Sequence, residues 1–150
     1  LSVMKRSSGV WFTECERHGE IVVLIDRANL LAPLPLDKAE FARRRAAHRM
    51  HLEASLPVRL EMVRKAIERG QVSEASMRYH THVLRPLIDL LRLQHDPDRF
   101  DFGERYLDRD FPEAKRILIE ELSLPGSMVE LRSVFARAKI EIERLLPSRS

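Results

Sequence analysis

From Asp37 onward the apolar residues recur every three or four positions, a period that suits helices and flips the wrong side chains outward in a strand. The last stretch shows it most cleanly: Met128, Leu131, Phe135, Ala138, Ile142 and Leu145 form one seam of the kind that packs against another helix. A second run, Leu56, Leu60, Val63 and Ile67, ends at Gly70, which suits the left-handed position just past a helix. Pro57 either opens that run or kinks a longer helix running from Asp37. Between Ser73 and Gln94, Met77, Leu84, Leu87, Ile88 and Leu91 keep the same spacing, and Pro86 inside the run predicts a kink near Leu84. Three helix starts carry a capping box, Asp37 with Glu40, Asp110 with Glu113 and Ser127 with Glu130, in which a short polar side chain accepts from a free backbone N–H and a glutamate reaches back.

The N-terminal part reads differently. Val10-Trp11-Phe12-Thr13 and Ile21-Val22-Val23-Leu24-Ile25 are β-branched or aromatic and flank Arg17-His18-Gly19-Glu20, which predicts a β-hairpin. The second strand is apolar on both faces, so it needs cover from helices or from another sheet. The connector Ala32-Pro33-Leu34-Pro35-Leu36 then separates two parts, residues 1–31 and 32–150. The expected class is α+β, mainly α: an N-terminal hairpin followed by a four- to five-helix bundle.

With 150 residues, the chain is long enough for one sizeable core, and 44% hydrophobic against 33% charged residues excludes disordered and fibrous classes. Its longest uninterrupted apolar run is Ile21 to Ile25, far short of the roughly 20 residues of a membrane span. No membrane partner is expected, and a soluble, cytoplasmic protein is. Cys15 is the single cysteine, so neither an internal disulfide nor a multi-cysteine zinc site can form within the chain. A net charge of +3 and a pI near 9.3 allow an anionic partner such as a nucleotide or nucleic acid, yet fall short of a dedicated DNA-binding composition. The opening Leu1-Ser2-Val3-Met4 is unlike a processed initiator, and part of a larger gene product is expected upstream.

The stretch Arg78-Tyr79-His80, Arg85-Pro86-Leu87, Leu90-Leu91-Arg92 and then Phe100-Asp101-Phe102-Gly103-Glu104-Arg105-Tyr106-Leu107-Asp108-Arg109-Asp110-Phe111-Pro112 resembles the helical C-terminal region of prokaryotic nucleotidyltransferases of the DNA polymerase β type. The likeness spans roughly residues 73 to 121, and the hairpin with Asp26 looks like the closing strands of the catalytic sheet in that family. The resemblance implies nucleotidyl transfer from a nucleoside triphosphate, assisted by two Mg2+ ions held by three carboxylates because both the attacking and the leaving oxygen need a cation. The family's Gly-Ser phosphate-binding turn followed by an Asp-x-Asp strand does not occur in this sequence. At most the third carboxylate is present, with Glu14, Glu20 and Asp26 as candidates, and unaided catalysis is not expected. Arg43-x4-His48 also matches the short Arg-x4-His pattern of HEPN ribonucleases, which an arginine-rich helix reaches easily by chance.

Candidates for contact with a phosphate-bearing substrate follow from the same stretch. Arg78, Arg85 and Arg92 are seven apart and would form a basic ridge on one helix face, beside Tyr79 and His80. Their competing use is ion pairing with Asp89, Asp101 or Glu104. Arg105 and Tyr106 lie in a loop whose aromatic residues either pack it onto the bundle or line a cleft. Two functions are expected: a non-catalytic, nucleotidyltransferase-like domain that orients a nucleotide or acceptor substrate, or a helical, antitoxin-like oligomerisation module with a basic face. Self-association as a homodimer, or association with a catalytic partner, fits either.

Overall fold

The computed structural model describes residues 14–20, 22–25 and 35–146, and these divide into two units, residues 1–43 and 44–150. The boundary falls inside one long helix.

In the N-terminal unit, Cys15–His18 forms a single helical turn, α1. Glu14 O accepts from the N–H groups of Arg17 (3.1 Å) and His18 (3.0 Å), and the Glu14 carboxylate lies 3.5 Å from the His18 ring. This turn occupies the place of the expected hairpin bend. Among the described residues there is no strand: Val22–Ile25 are exposed coil, with Leu24 at 90% exposure, while Val10–Thr13, Ile21 and Asp26 lie outside the described residues. The physical reason is that local i→i+4 bonds satisfy the bend, whereas a strand apolar on both faces has no covering layer on Val22–Ile25. Arg17 is buried, its guanidinium 4.5 Å from the centre of the Phe41 ring.

Helix α2 runs from Lys38 to Glu68 as one 31-residue helix with Pro57 inside it, the longer helix of the two alternatives. Asp37 caps it, its Oδ1 accepting from Ala39 N (3.1 Å) and Glu40 N (3.0 Å). At the other end Gly70 takes φ +69°, and the bonds Gly70 N to Ile67 O and Gln71 N to Ala66 O close a Schellman motif. Helix α3 (Val72–Tyr79), a π-helical turn (His80–Leu84) and helix α4 (Arg85–His95) then form one helical run. Pro86 explains the π turn: its ring would strike the His82 carbonyl of a regular helix and it has no N–H to offer, so the backbone widens by one residue just before it.

After a 3-10 turn at Pro97–Arg99 and a short helix α5 (Leu107–Asp110), α6 (Glu113–Ser123) and α7 (Met128–Leu145) complete the C-terminal unit. Ser127 caps α7 as expected, its Oγ accepting from Glu130 N at 3.1 Å, while the Glu130 carboxylate reaches back one residue further, to Gly126 N at 2.6 Å. The Asp110 box does not form: Pro112 precedes α6, and the Asp110 carboxylate is drawn to arginines instead. Helix α4 is the centre of the bundle, with Leu87, Ile88, Leu90 and Leu91 all buried against apolar residues of α2, α6 and α7. Each such side chain contributes on the order of 2 kcal/mol on leaving water. The helical bundle is therefore present, built from α2, the α3–α4 run, α6 and α7.

Candidate functional site

Of the residues expected to meet substrate, several are spent on the fold. Tyr79 is fully buried and its hydroxyl donates to Leu122 O at 2.9 Å, tying α3 to the end of α6. Burial pushes its phenol well above the ordinary value. Arg92 is also fully buried: Nε donates to Gly103 O (2.6 Å), Nη2 to Arg105 O, and Nη1 to Asp110 Oδ2 (3.2 Å), with Asp96 at 3.7 Å. It is the peg around which the loop between α4 and α5 is wrapped. Burial alone would raise the Asp110 carboxyl, but the hydrogen bonds from Arg109 and Arg92 and the charges of Arg109 and Arg99 outweigh it and hold it below the usual value.

Arg105 and Tyr106 belong to that loop. The Arg105 Nε donates to Phe102 O at 3.3 Å and its guanidinium lies 5.4 Å from the Phe102 ring centre. Tyr106 takes φ +60° and is exposed, stacked under Arg109 at 4.6 Å. Phe102 and Tyr106 pack on each other, ring centres 6.3 Å apart, while Phe100 packs on His48 of α2 at 5.2 Å.

The basic ridge is not a ridge. A π turn holds one residue more than an α turn, so Arg78 loses the face that seven-residue spacing would give it with Arg85, while Arg85 and Arg92 still face the same loop. Arg85 pairs with Glu104 at 3.3 Å and Arg78 with Glu74 at 2.7 Å. His80 opens the π turn with its ring 5.6 Å from that of Tyr79. Of the third-carboxylate candidates, Glu14 pairs with His18, Glu20 is exposed, and Asp26 is outside the described residues. Among the described residues no group of three His, Cys, Asp or Glu side chains could hold a metal ion, and the described carboxylates do not fit the two-magnesium cage that the resemblance implies. In the Arg-x4-His pattern, Arg43 pairs with Glu40 and His48 with Asp89.

One flank of α2 carries a polar seam instead. Arg44, His48, His51, Ser55 and Arg59 fall at helical spacing on that flank. Toward one end each cation faces a carboxylate: Arg44 lies 3.3 Å from Asp101 and His48 3.5 Å from Asp89. Toward the other end a guanidinium meets an imidazole. Arg59 Nη2 lies 3.1 Å from His51 Nε2, and since a guanidinium can only donate, that imidazole nitrogen accepts. His82 sits close enough to Arg59 and Arg78 that, after burial, their charges hold its pKa below the ordinary value. The Ser55 Oγ is buried and has no hydrogen-bond partner. Sequence reasoning passed over Ser55, Arg59 and His82 because nothing in a linear pattern pairs α2 with the π turn; Pro86 was the one signal that helical phase would shift there.

The opposite flank of α2 lines a groove of about 770 Å3 shared with α7, with Met50, Leu56, Leu60, Phe135, Ile142 and Leu146 among its walls. Two arginines bridge its helices, Arg49 donating to Leu145 O (3.2 Å) and Arg132 to Ile67 O (3.3 Å). Among the described residues no helix is long and apolar enough to cross a membrane. No protein-family model, curated protein or solved structure matches this chain.

Proposed function

We propose that this chain is a non-catalytic helical module that binds and orients a phosphate-bearing ligand, with the reactive carboxylates supplied by a partner. One observation carries the reading: Arg59 lies 3.1 Å from His51, the charges of Arg59 and Arg78 both reach His82, and among the described residues Glu74 is the one carboxylate paired to any of these four. The Arg59 guanidinium, set beside imidazoles, has no carboxylate paired to it among the described residues, and an anion placed there gains charge-assisted hydrogen bonds. The resemblance to the helical region of nucleotidyltransferases supports the same reading, since such a region handles the nucleotide rather than the metal.

A ligand that binds the folded state alone stabilises it by mass action, about 2.7 kcal/mol at a hundred times its dissociation constant. Millimolar nucleoside triphosphate is therefore expected to raise the melting temperature by several degrees, with magnesium and without it. An unchanged melting temperature under both conditions overturns the reading.

The groove favours a second reading, self-association. Its rim charges are neutralised on their own walls, Glu53 by Arg49, Arg64 by Glu61 and Glu68, and Lys139 by Glu143, so two copies of this face meet without like-charge repulsion. Light scattering at micromolar concentration is expected to report a dimer that Leu60→Glu converts to a monomer; a monomeric wild type removes this reading and leaves the first intact.

A further inference from the structure

We infer that the exposed face of α2 is a self-complementary seam, on which a second copy of this chain lays its own α2 antiparallel about a twofold axis level with Leu52. The inference rests on the self-association reading above and deepens it to one helix, one direction and one register.

Positions alternately three and four residues apart share a single stripe of a helix. One such stripe of α2 carries Ala47, Met50, Ala54 and Pro57, all exposed, with Met50 at 68%. The same spacing continues into charge at both ends, through Glu40 and Arg43 before the apolar centre and Glu61 and Arg64 after it. From Met50 to Arg64 the stripe forms one edge of the groove shared with α7, so a helix laid along it also covers the half-buried Leu60, Phe135 and Leu146.

The order of the residues selects the occupant and its direction. Two copies set parallel and in register would bring Glu40, Arg43, Glu61 and Arg64 each against its own like, which repels at every charged position. Set antiparallel, Arg43 meets the partner's Glu61 and Glu40 meets the partner's Arg64, while Met50 meets the partner's Ala54 and Ala47 the partner's Pro57. Every charge then opposes the other sign and every apolar side chain another apolar one, with a small residue against a larger one at the centre. The twofold axis repeats each of these pairs, and the stripe from Glu40 to Arg64 extends over about 36 Å of helix. A stripe that reads alike from both ends is what a twofold contact requires and what an unrelated partner does not. The charges are already paired along their own helix, Arg43 with Glu40 and Arg64 with Glu61 at 2.6 Å, so the second copy meets no isolated ion.

The test is sedimentation velocity of the full chain at micromolar concentration, where the wild type is expected to be a dimer. Arg43→Glu and Glu61→Arg each place like charges opposite one another at both ends of the seam, and each is expected to weaken the dimer at least tenfold. Mixing the two variants is expected to restore it to within threefold of the wild type, as a heterodimer in which both ends again join opposite signs. The intrahelical pairs of both residues stay broken in that mixture, so recovery reports contact between copies and not helix stability. Circular dichroism confirms folding, and Glu40→Arg mixed with Arg64→Glu repeats the test at the outer pair should either first variant lose structure. A wild-type dimer that neither substitution weakens overturns the seam while sparing self-association through the groove. Two weakened variants that stay apart when mixed overturn the antiparallel register. A monomeric wild type overturns the seam and the self-association reading together.

Discussion

Two buried polar side chains show how individual residues of this chain decide between structure and ligand. The Tyr79 phenol is surrounded by core and gives its proton to one carbonyl, so its ionised form is excluded from the folded state. A folded pKa raised above the unfolded value near 10 means stability that is full below pH 10 and is lost as pH rises beyond it. Tyr79→Phe is expected to cost about 1 kcal/mol at neutral pH, for the lost hydrogen bond, and to flatten the alkaline loss; urea melts at pH 7 and pH 10.5 check both. Asp110 runs the other way. Its depressed folded pKa gives stability that is present above an unfolded value near 4 and lost as pH falls through the folded one. Arg92→Lys removes the fork that spans Gly103 O, Arg105 O and Asp110 at once, and a loss of about 3 kcal/mol is expected with a weaker acid dependence, read from urea melts between pH 7 and pH 3.

At the scale of elements, the ends of the helices were more legible than their phase. Asp37, Gly70 and Ser127 take the caps their residue types demand, because a cap is a contact within four residues and needs no tertiary partner. Gly70→Ala places a Cβ in open space but in left-handed backbone, so a loss of about 1 kcal/mol in chemical denaturation is expected from conformation alone. Asp110 failed as a cap for the opposite reason: three arginines from α4, the 3-10 turn and α5 compete for it, and charge-assisted bonds outweigh one backbone N–H. The π turn had the largest consequence. One inserted residue takes Arg78 off the face it would share with Arg85, so the expected ridge does not form.

Across the molecule, α4 is wrapped by the other helices of the C-terminal unit, and the stability of that unit is concentrated there. Leu91→Ala, at a position with no exposed surface, is expected to cost 2–5 kcal/mol, whereas Leu124→Ala, 88% exposed, changes the denaturation midpoint little. What the sequence determined by itself was whatever depends on neighbours a turn away: helical period, most caps, the break announced by Pro86 and the lack of a spanning segment. Which face of α2 meets which face of the α3–α4 run, which arginines are consumed by carboxylates and which are left beside imidazoles, was decided only by the tertiary structure. Those outcomes depend on contacts between residues well beyond one helical turn apart, such as Arg92 with Asp110 and His48 with Asp89, and on a competition for each carboxylate that no local pattern encodes.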